Sequence, residues 1–306
     1  MTTTETAWTW AWSWWGTLVV LNILQAIIAF YLYYRSRKFG SNSDDAGYFR
    51  LMRTMGLVFV CVALYRSIFV SSYLRQLAWF DSVLNSALLI RSFAIFAELS
   101  FAGLIAKSLL RMNKEVPGLV RDDEPFFGFL QTRTPIILFA CIATANIFAT
   151  AATITKIDLI FALEETCWGI GFVSIIPMLI VSIKRLSSYR NTARWREFRL
   201  FWISLMVITI FTVGYSIFEI GFNLPSVYWP NAIAQLNMPN PDPPFRFGLE
   251  AVRDAFFVVR ETKDLQAWGG MGFIVWHSGY FTVCVWMVLF LMTGPRRLTE
   301  VAERVS

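Results

Sequence analysis

The chain has 306 residues, of which 56% are hydrophobic and only 16% charged, and its mean hydropathy is +0.53. A soluble domain carries nearer a quarter charged residues, so this composition excludes a water-soluble globular protein. The net charge of +6 does not require a nucleic-acid partner, because the basic residues follow a membrane-topology pattern.

Seven apolar stretches follow one another along the chain. Each is long enough to cross about 30 Å of hydrocarbon as an α-helix. They predict an all-α integral membrane protein in which residues 1–306 form one seven-transmembrane helix bundle. The predicted spans are 14–34, 54–74, 83–106, 135–155, 160–183, 200–222 and 268–292.

The segment before the first span, Met1 to Trp15, contains five tryptophans and neither Lys nor Arg. A cleavable signal peptide begins with basic residues, so this segment does not resemble one. Tryptophan is enriched where a helix passes through the membrane interface. We predict an aromatic anchor at the outer interface.

Basic residues are distributed unequally between the two ends of the spans. Of the 27 Lys and Arg residues, 19 lie at one set of alternate ends and 6 at the other, with Arg66 and Arg91 inside spans. Basic loops stay in the cytoplasm, so the N-terminus is predicted outside and the C-terminus in the cytoplasm. The sequence contains no Asn-x-Ser/Thr glycosylation sequon. We therefore predict a plasma-membrane protein and favour the bacterial inner membrane over a glycosylated cell surface.

A parallel three-plus-one-plus-three repeat is one interpretation of two local matches. Spans one and five both begin with Trp-Gly, and Phe49-Arg50-Leu51 matches Phe198-Arg199-Leu200. Chance similarity within the small residue alphabet of membrane helices explains these matches equally well. A repeat of this kind occurs in transporters without specifying transport.

Residues 225–267 are predicted to form an extracytoplasmic loop that contains an amphipathic helix. Leu249, Val252, Phe256 and Val259 recur at spacings of 3, 4 and 3, with charged residues on the other faces. Such a helix either packs on the surface or forms a lid over an outer pocket.

Ionisable residues inside the predicted spans are the candidates for function. A charge within hydrocarbon costs several kcal/mol, so such residues usually face the bundle interior. They either pair for stability, for example Arg66 with Glu164 or Arg91 with Glu219, or bind a ligand or ion. Glu165 also lies in span five. Tyr65 in span two adds an aromatic hydroxyl to the candidates. The candidate ligand- or ion-binding residues are Tyr65, Arg66, Arg91, Glu98, Glu164, Glu219 and His277.

Span three carries the most information. Arg91 and Glu98 share a face but are separated by about 10 Å along the helix axis, so we expect them not to neutralise each other. Ala94, Ala102 and Ala106 continue the spacing of four through Glu98, a pattern that lets helices approach closely. Span three is therefore predicted to be central, and Arg91→Leu to impair function more than stability.

No cofactor or catalytic residue is identified. Residues 268–292 contain no lysine, so a retinal Schiff base is not expected, and His277 is the only histidine, which excludes bis-histidine haem. We predict no metal site. HExxH, Walker and GxSxG motifs are absent from the sequence, and Gly169-x-Gly171 fits helix packing better than phosphate binding.

These observations favour a multi-pass protein that recognises or translocates a small polar or charged solute or ion through an outward-facing polar cavity. Two alternatives are a non-catalytic membrane subunit of a larger complex and an intramembrane acid-base enzyme. The predicted partners are the lipid bilayer and the solute, with a homo-oligomer or membrane complex also compatible with the sequence.

Overall fold

The computed structural model describes residues 3–36, 44–116, 118–120, 124–192, 195–241 and 244–294. Within these ranges seven helical spans are long and apolar enough to cross a membrane, as expected of a multi-pass membrane protein. They are Trp10–Arg35, Ala46–Ile68, Ala87–Glu115, Pro125–Thr155, Asp158–Asn191, Phe198–Asn237 and Met271–Thr293.

The first five spans are built on single long α-helices, the fifth of which continues into a 3-10 turn at Ser188–Asn191, and the last two contain π-helical turns. The first five are α1 (Thr3–Ser36), α2 (Asp44–Ile68), α3 (Ala87–Glu115), α4 (Pro125–Thr155) and α5 (Asp158–Ser187). The sixth comprises α6 (Trp195–Phe218), a π segment (Glu219–Tyr228) and α7 (Trp229–Asn237), and the seventh comprises α9 (Met271–Gly279), a π segment (Tyr280–Cys284) and α10 (Val285–Thr293).

Helix α3 lies at the centre of the bundle, as the sequence predicted. It contacts α2, α4, α6 and α10. Ala94, Ala102 and Ala106 are buried, so the small-residue stripe faces neighbouring helices. Because α3 is central, Arg91 and Glu98 are enclosed by protein rather than by lipid.

One end of the bundle is covered by residues 69–86 and 244–270, and we call it the capped end. There β1 (Ser71–Ser72) pairs antiparallel with β2 (Leu77–Ala78), and β2 pairs parallel with β3 (Arg260–Glu261). The N-terminal half of α1 reaches the same end, where the Trp15 indole N–H donates to the carbonyl of Ile68.

Helix α8 (Gly248–Phe257) lies across the capped end, but its buried face differs from the prediction. The Gln76 amide donates to the Asp254 backbone and carboxylate oxygens, each at 2.9 Å, and Ala251 and Ala255 are buried. Leu249, which belongs to the predicted apolar face, is 84% exposed. The small alanines let α8 approach the ends of α3 and α4 more closely than leucine would. Close packing and the hydrogen bonds to Gln76 therefore determine which face of α8 is buried.

The loop predicted to begin at Pro225 is instead helical as far as Asn237. Proline lacks the N–H needed for an α-helical hydrogen bond and crowds the preceding turn. The chain accommodates it within the wider π segment Glu219–Tyr228 and then returns to α-helix. The Gln235 amide secures this extension by donating to the Lys156 carbonyl at 2.8 Å.

Lys156 joins α4 to α5 in the left-handed backbone conformation, with φ of 61°. Its ammonium group donates to the carbonyl oxygens of Thr153 at 2.8 Å and Tyr73 at 3.3 Å. Burial lowers the pKa of Lys156 to about 8, and the nearby Asp254 carboxylate partly opposes this shift. A lysine that looks like a loop residue in the sequence therefore connects the capping segments to the bundle.

Candidate functional site

A network of buried polar side chains lies in the half of the bundle nearest the capped end. The Arg91 guanidinium donates to both carboxylate oxygens of Glu98, at 2.9 and 2.8 Å, and to Asn146 Oδ1 at 2.5 Å. Glu164 Oε1 lies 3.6 Å from the same guanidinium. Helices α3, α4 and α5 thus share one charged centre, in which Arg91 is 1% exposed.

The Arg91–Glu98 contact corrects the expectation that these residues cannot neutralise each other. Two helical turns separate their backbones, but an extended arginine and a glutamate bridge that distance when both lie along the helix surface. The planar guanidinium then binds the carboxylate through two parallel hydrogen bonds. The axial separation of about 10 Å is between the two backbones, and the length of the two side chains closes it.

Arg66, at the end of α2, is surrounded by aromatic rings. Its guanidinium carbon lies 5.5 Å from the ring centres of Tyr73 and Tyr280 and 5.3 Å from that of Phe281. Rings in these positions stabilise a cation through their electron-rich faces. Within the described part of the chain Arg66 forms no ion pair at salt-bridge distance, so the pairing with Glu164 considered from the sequence is not observed.

Glu219 begins the π segment of the sixth span and is fully buried. One carboxylate oxygen accepts a hydrogen bond from the Asn223 amide at 2.9 Å, and the other has no partner among the described residues. The suggested pairing of Glu219 with Arg91 is absent, because Glu98 and Glu164 occupy the guanidinium. Ser216, one turn earlier, also has a buried hydroxyl without a partner in the described part of the chain.

His277 is buried in α9 among aromatic rings. The ring centres of Phe281, Phe273 and Trp14 lie 4.4, 5.0 and 5.7 Å from that of the imidazole. Its Nε2 has no hydrogen-bond partner in the described ranges. No group of three or more metal-binding side chains occurs within those ranges, so no geometry there suggests a metal site.

Tyr65 is separate from this network. Its hydroxyl donates to the carbonyl of Leu84 at 2.5 Å, and its ring contacts Phe69 and Phe93. Phe93 is itself 39% exposed on the bundle surface. Glu165 is half-buried, next to Glu164 in α5. The structure therefore brings together Arg91, Glu98 and Glu164, gives Arg66 an aromatic environment, and places Tyr65 elsewhere.

Several buried polar atoms around these residues have no hydrogen-bond partner within the described ranges. Buried polar groups in folded proteins are nearly always satisfied by protein, water or ligand. In hydrocarbon each unsatisfied group costs several kcal/mol. The interior therefore has unused hydrogen-bonding capacity. The atoms are Tyr73 Oη, Arg91 Nε, Glu164 Oε2, Thr212 Oγ1, Ser216 Oγ, Glu219 Oε1 and His277 Nε2.

A cavity of about 440 Å³ opens at the capped end, and aromatic side chains dominate its wall. None of the seven candidate residues lines it, so this cavity differs from the polar one that was predicted. Trp14 connects the two regions, because it lines the cavity, contacts His277 and donates from its indole N–H to Ser278 Oγ at 2.9 Å. The principal lining residues are Trp10, Trp14, Trp79, Trp268, Phe273 and Lys263.

Sequence reasoning missed Asn146 and the aromatic cavity. Asn146 is an amide within the apolar run of span four, so its polarity was an available signal. The cavity offered no such signal, because its wall joins residues from the beginning and the end of the chain. No protein-family model, curated protein or solved structure shows significant similarity to this chain.

Proposed function

We propose that this multi-pass membrane protein recognises or translocates a small charged solute that enters from the capped end. The observation that carries the proposal is the set of buried, unpartnered polar atoms on several helices. A purely structural charge network would satisfy its own members, because each unpaired group in a membrane is costly. Here Glu164 Oε2, Glu219 Oε1 and His277 Nε2 remain available to water or a solute.

The two π segments support the same interpretation. π-Helical turns are rare and are often found at functional sites. One begins at Glu219 and the other contains Tyr280 and Phe281, whose rings contact Arg66. Both therefore border the polar interior, where a local widening of the helix changes which side chains face inward.

We place the capped end outside, in the plasma membrane, and the C-terminus in the cytoplasm. The unequal distribution of basic residues supports this orientation. We expect an alkaline phosphatase fusion after Asp81 to be active and one after Arg190 to be inactive, with the reverse for fluorescent-protein fusions. A fluorescent, phosphatase-inactive fusion at Asp81 would contradict the orientation. The three-plus-one-plus-three repeat remains a prediction.

The proposed function is tested directly by measuring whether water reaches the polar interior. In a background in which Cys61, Cys141, Cys167 and Cys284 are replaced by alanine, we expect Ser216→Cys to react with a small, charged, membrane-impermeant thiol reagent added outside. We expect Ser216→Cys to be labelled at least about ten times faster than the control variant Ile217→Cys. The reason is that Ser216 Oγ is buried and unpartnered beside Glu219, where we propose a hydrated path.

The neighbouring residue provides the matched control. Ile217 lies at nearly the same depth and is 68% exposed on the bundle surface, where lipid would surround it. We expect Ile217→Cys to be unreactive, because the ionised thiolate and the charged reagent are both disfavoured in hydrocarbon. Equal, slow labelling of the two variants would overturn the proposal and favour the membrane-subunit alternative.

A further inference from the structure

The aromatic cavity has the chemical composition of a site for organic cations. Its volume of about 440 Å³ lies within the range of small-molecule sites, about 300–1,000 Å³. Trp10, Trp14, Trp79, Trp268 and Phe273 contribute rings to its wall. Indole presents the most electron-rich face among protein side chains and attracts cations, including quaternary ammonium groups.

The same aromatic layer already holds one ammonium group, that of Lys263. Its Nζ lies 5.2 Å from the ring centre of Trp79, 5.5 Å from that of Phe80 and 5.6 Å from that of Trp12. The Glu261 carboxylate neutralises this ammonium at 2.7 Å. Of these three rings, Trp79 also lines the cavity, so one ring of the cavity wall already contacts an ammonium group.

Asp264 contributes an acidic side chain to the cavity wall, and the nearby Arg75 guanidinium donates to the Ala267 carbonyl at 3.3 Å. Lys263 is neutralised by Glu261, whereas the Asp264 carboxylate lies in the cavity wall, where its Oδ1 accepts the backbone N–H of Gln266 at 3.0 Å. The Trp268 indole N–H donates to the Thr262 carbonyl at 3.1 Å, which fixes one ring of the wall. A cation entering the cavity would therefore meet aromatic faces and an acidic side chain.

The polar interior beyond the cavity also carries an excess of acidic groups. Arg91 lies against both Glu98 and Glu164, and Arg66 is enclosed by aromatic rings, so within the described ranges no basic side chain lies at salt-bridge distance from Glu219. Glu164 Oε2 and Glu219 Oε1 are both buried and unpartnered within the described ranges. These carboxyl oxygens can accept hydrogen bonds from a positively charged solute, which would in turn favour their ionised form, whereas an anion would gain neither contact.

We propose that the aromatic cavity binds a small organic cation and is the entrance through which this solute reaches the polar interior. The inference rests on the proposed function and specifies the class of its solute. It requires recognition of the positive charge itself, because an aromatic wall also binds neutral apolar molecules of the same shape.

A pair of isosteric probes separates charge from shape. Choline and 3,3-dimethyl-1-butanol have the same outline, but only choline is charged. With the purified full-length protein in detergent, we expect isothermal titration calorimetry to show choline binding at least about fivefold more tightly than the alcohol. Equal affinities, or no choline binding at millimolar concentration, would overturn the inference.

Two tryptophan variants locate the site. Trp10 lines the cavity and is 44% exposed, so we expect Trp10→Leu to remain folded and to weaken choline binding about fivefold. Trp286 in α10 is 51% exposed and does not line the cavity, so Trp286→Leu should leave the affinity unchanged. Equal loss in both variants would exclude the cavity as the site.

The choline-binding experiment and the labelling of Ser216→Cys can succeed or fail separately, so they distinguish the two proposals. If Ser216→Cys reacts from outside but choline binds no better than its isostere, the proposed function stands and the organic-cation inference fails. If Ser216→Cys is unreactive while choline still binds through Trp10, the cavity is a ligand site that does not lead into the polar interior, and the proposed function fails.

Discussion

We expect Arg91→Leu to lower the free energy of unfolding by about 3–5 kcal/mol, because it leaves a buried carboxylate without its partner. Glu98 accepts two hydrogen bonds from Arg91, and Asn146 accepts a third. Equilibrium unfolding of the purified protein in mixed micelles measures the change. This replaces the expectation from the sequence that function would suffer more than stability.

A double-mutant cycle tests the cause of that loss. Replacing both members of a buried ion pair by apolar residues is often nearly neutral. Arg91→Leu/Glu98→Leu should therefore recover part of the stability that Arg91→Leu loses, because Glu164, 3.6 Å from the guanidinium, still lacks its partner. Arg66→Leu is the matched control, because Arg66 has aromatic contacts in place of an ion pair, and its loss should be smaller. A larger loss for Arg66→Leu would contradict this account of Arg91.

We expect Gly171→Leu to destabilise the bundle by at least about 1–3 kcal/mol, the usual cost of overpacking. Even a methyl group at position 171 would lie 3.1 Å from Cys141 Cβ and 3.3 Å from Leu138 Cδ1. The larger side chain must separate α4 from α5, whose contact is the most extensive between any two described helices. Size-exclusion chromatography and unfolding in mixed micelles measure the effect.

Gly214→Leu is the control for this substitution. Gly214 lies in α6 with an exposed surface, and apart from the adjacent backbone of its own helix no atom of the described residues lies within 4 Å of a Cβ placed there. The two variants share the same gain in volume and helix propensity, so their difference isolates the packing of α4 against α5. Equal stability of both would show that the interface adjusts to the larger side chain.

Hydropathy determined the broad architecture of this protein. A run of about 20 apolar residues has to form a helix in lipid, because every backbone group must be hydrogen-bonded within its own segment. That constraint is local, so the seven spans could be predicted from the sequence. The alanine stripe of α3 and the packing role of Gly169-x-Gly171 were predictable for the same reason, since spacing along one helix specifies which residues share a face.

Charge partners and the cavity depended on tertiary structure. Arg91 could have paired with several carboxylates, and the length and direction of its side chain selected Glu98. The chain stays helical through Pro225 because a π segment accommodates the proline. In the sequence, a proline at this position predicts a turn, so the helical extension was not expected. The aromatic cavity brings Trp10 near Trp268, and no local pattern relates residues so far apart in the chain. Packing decided the burial of Lys156, which the sequence placed in a loop. The sequence by itself thus determined which segments are long and apolar enough to cross a membrane and that Arg91, Glu98 and Glu164 lie within them, because both follow from local polarity. Their partners were decided by helix packing, which depends on contacts between segments distant in sequence.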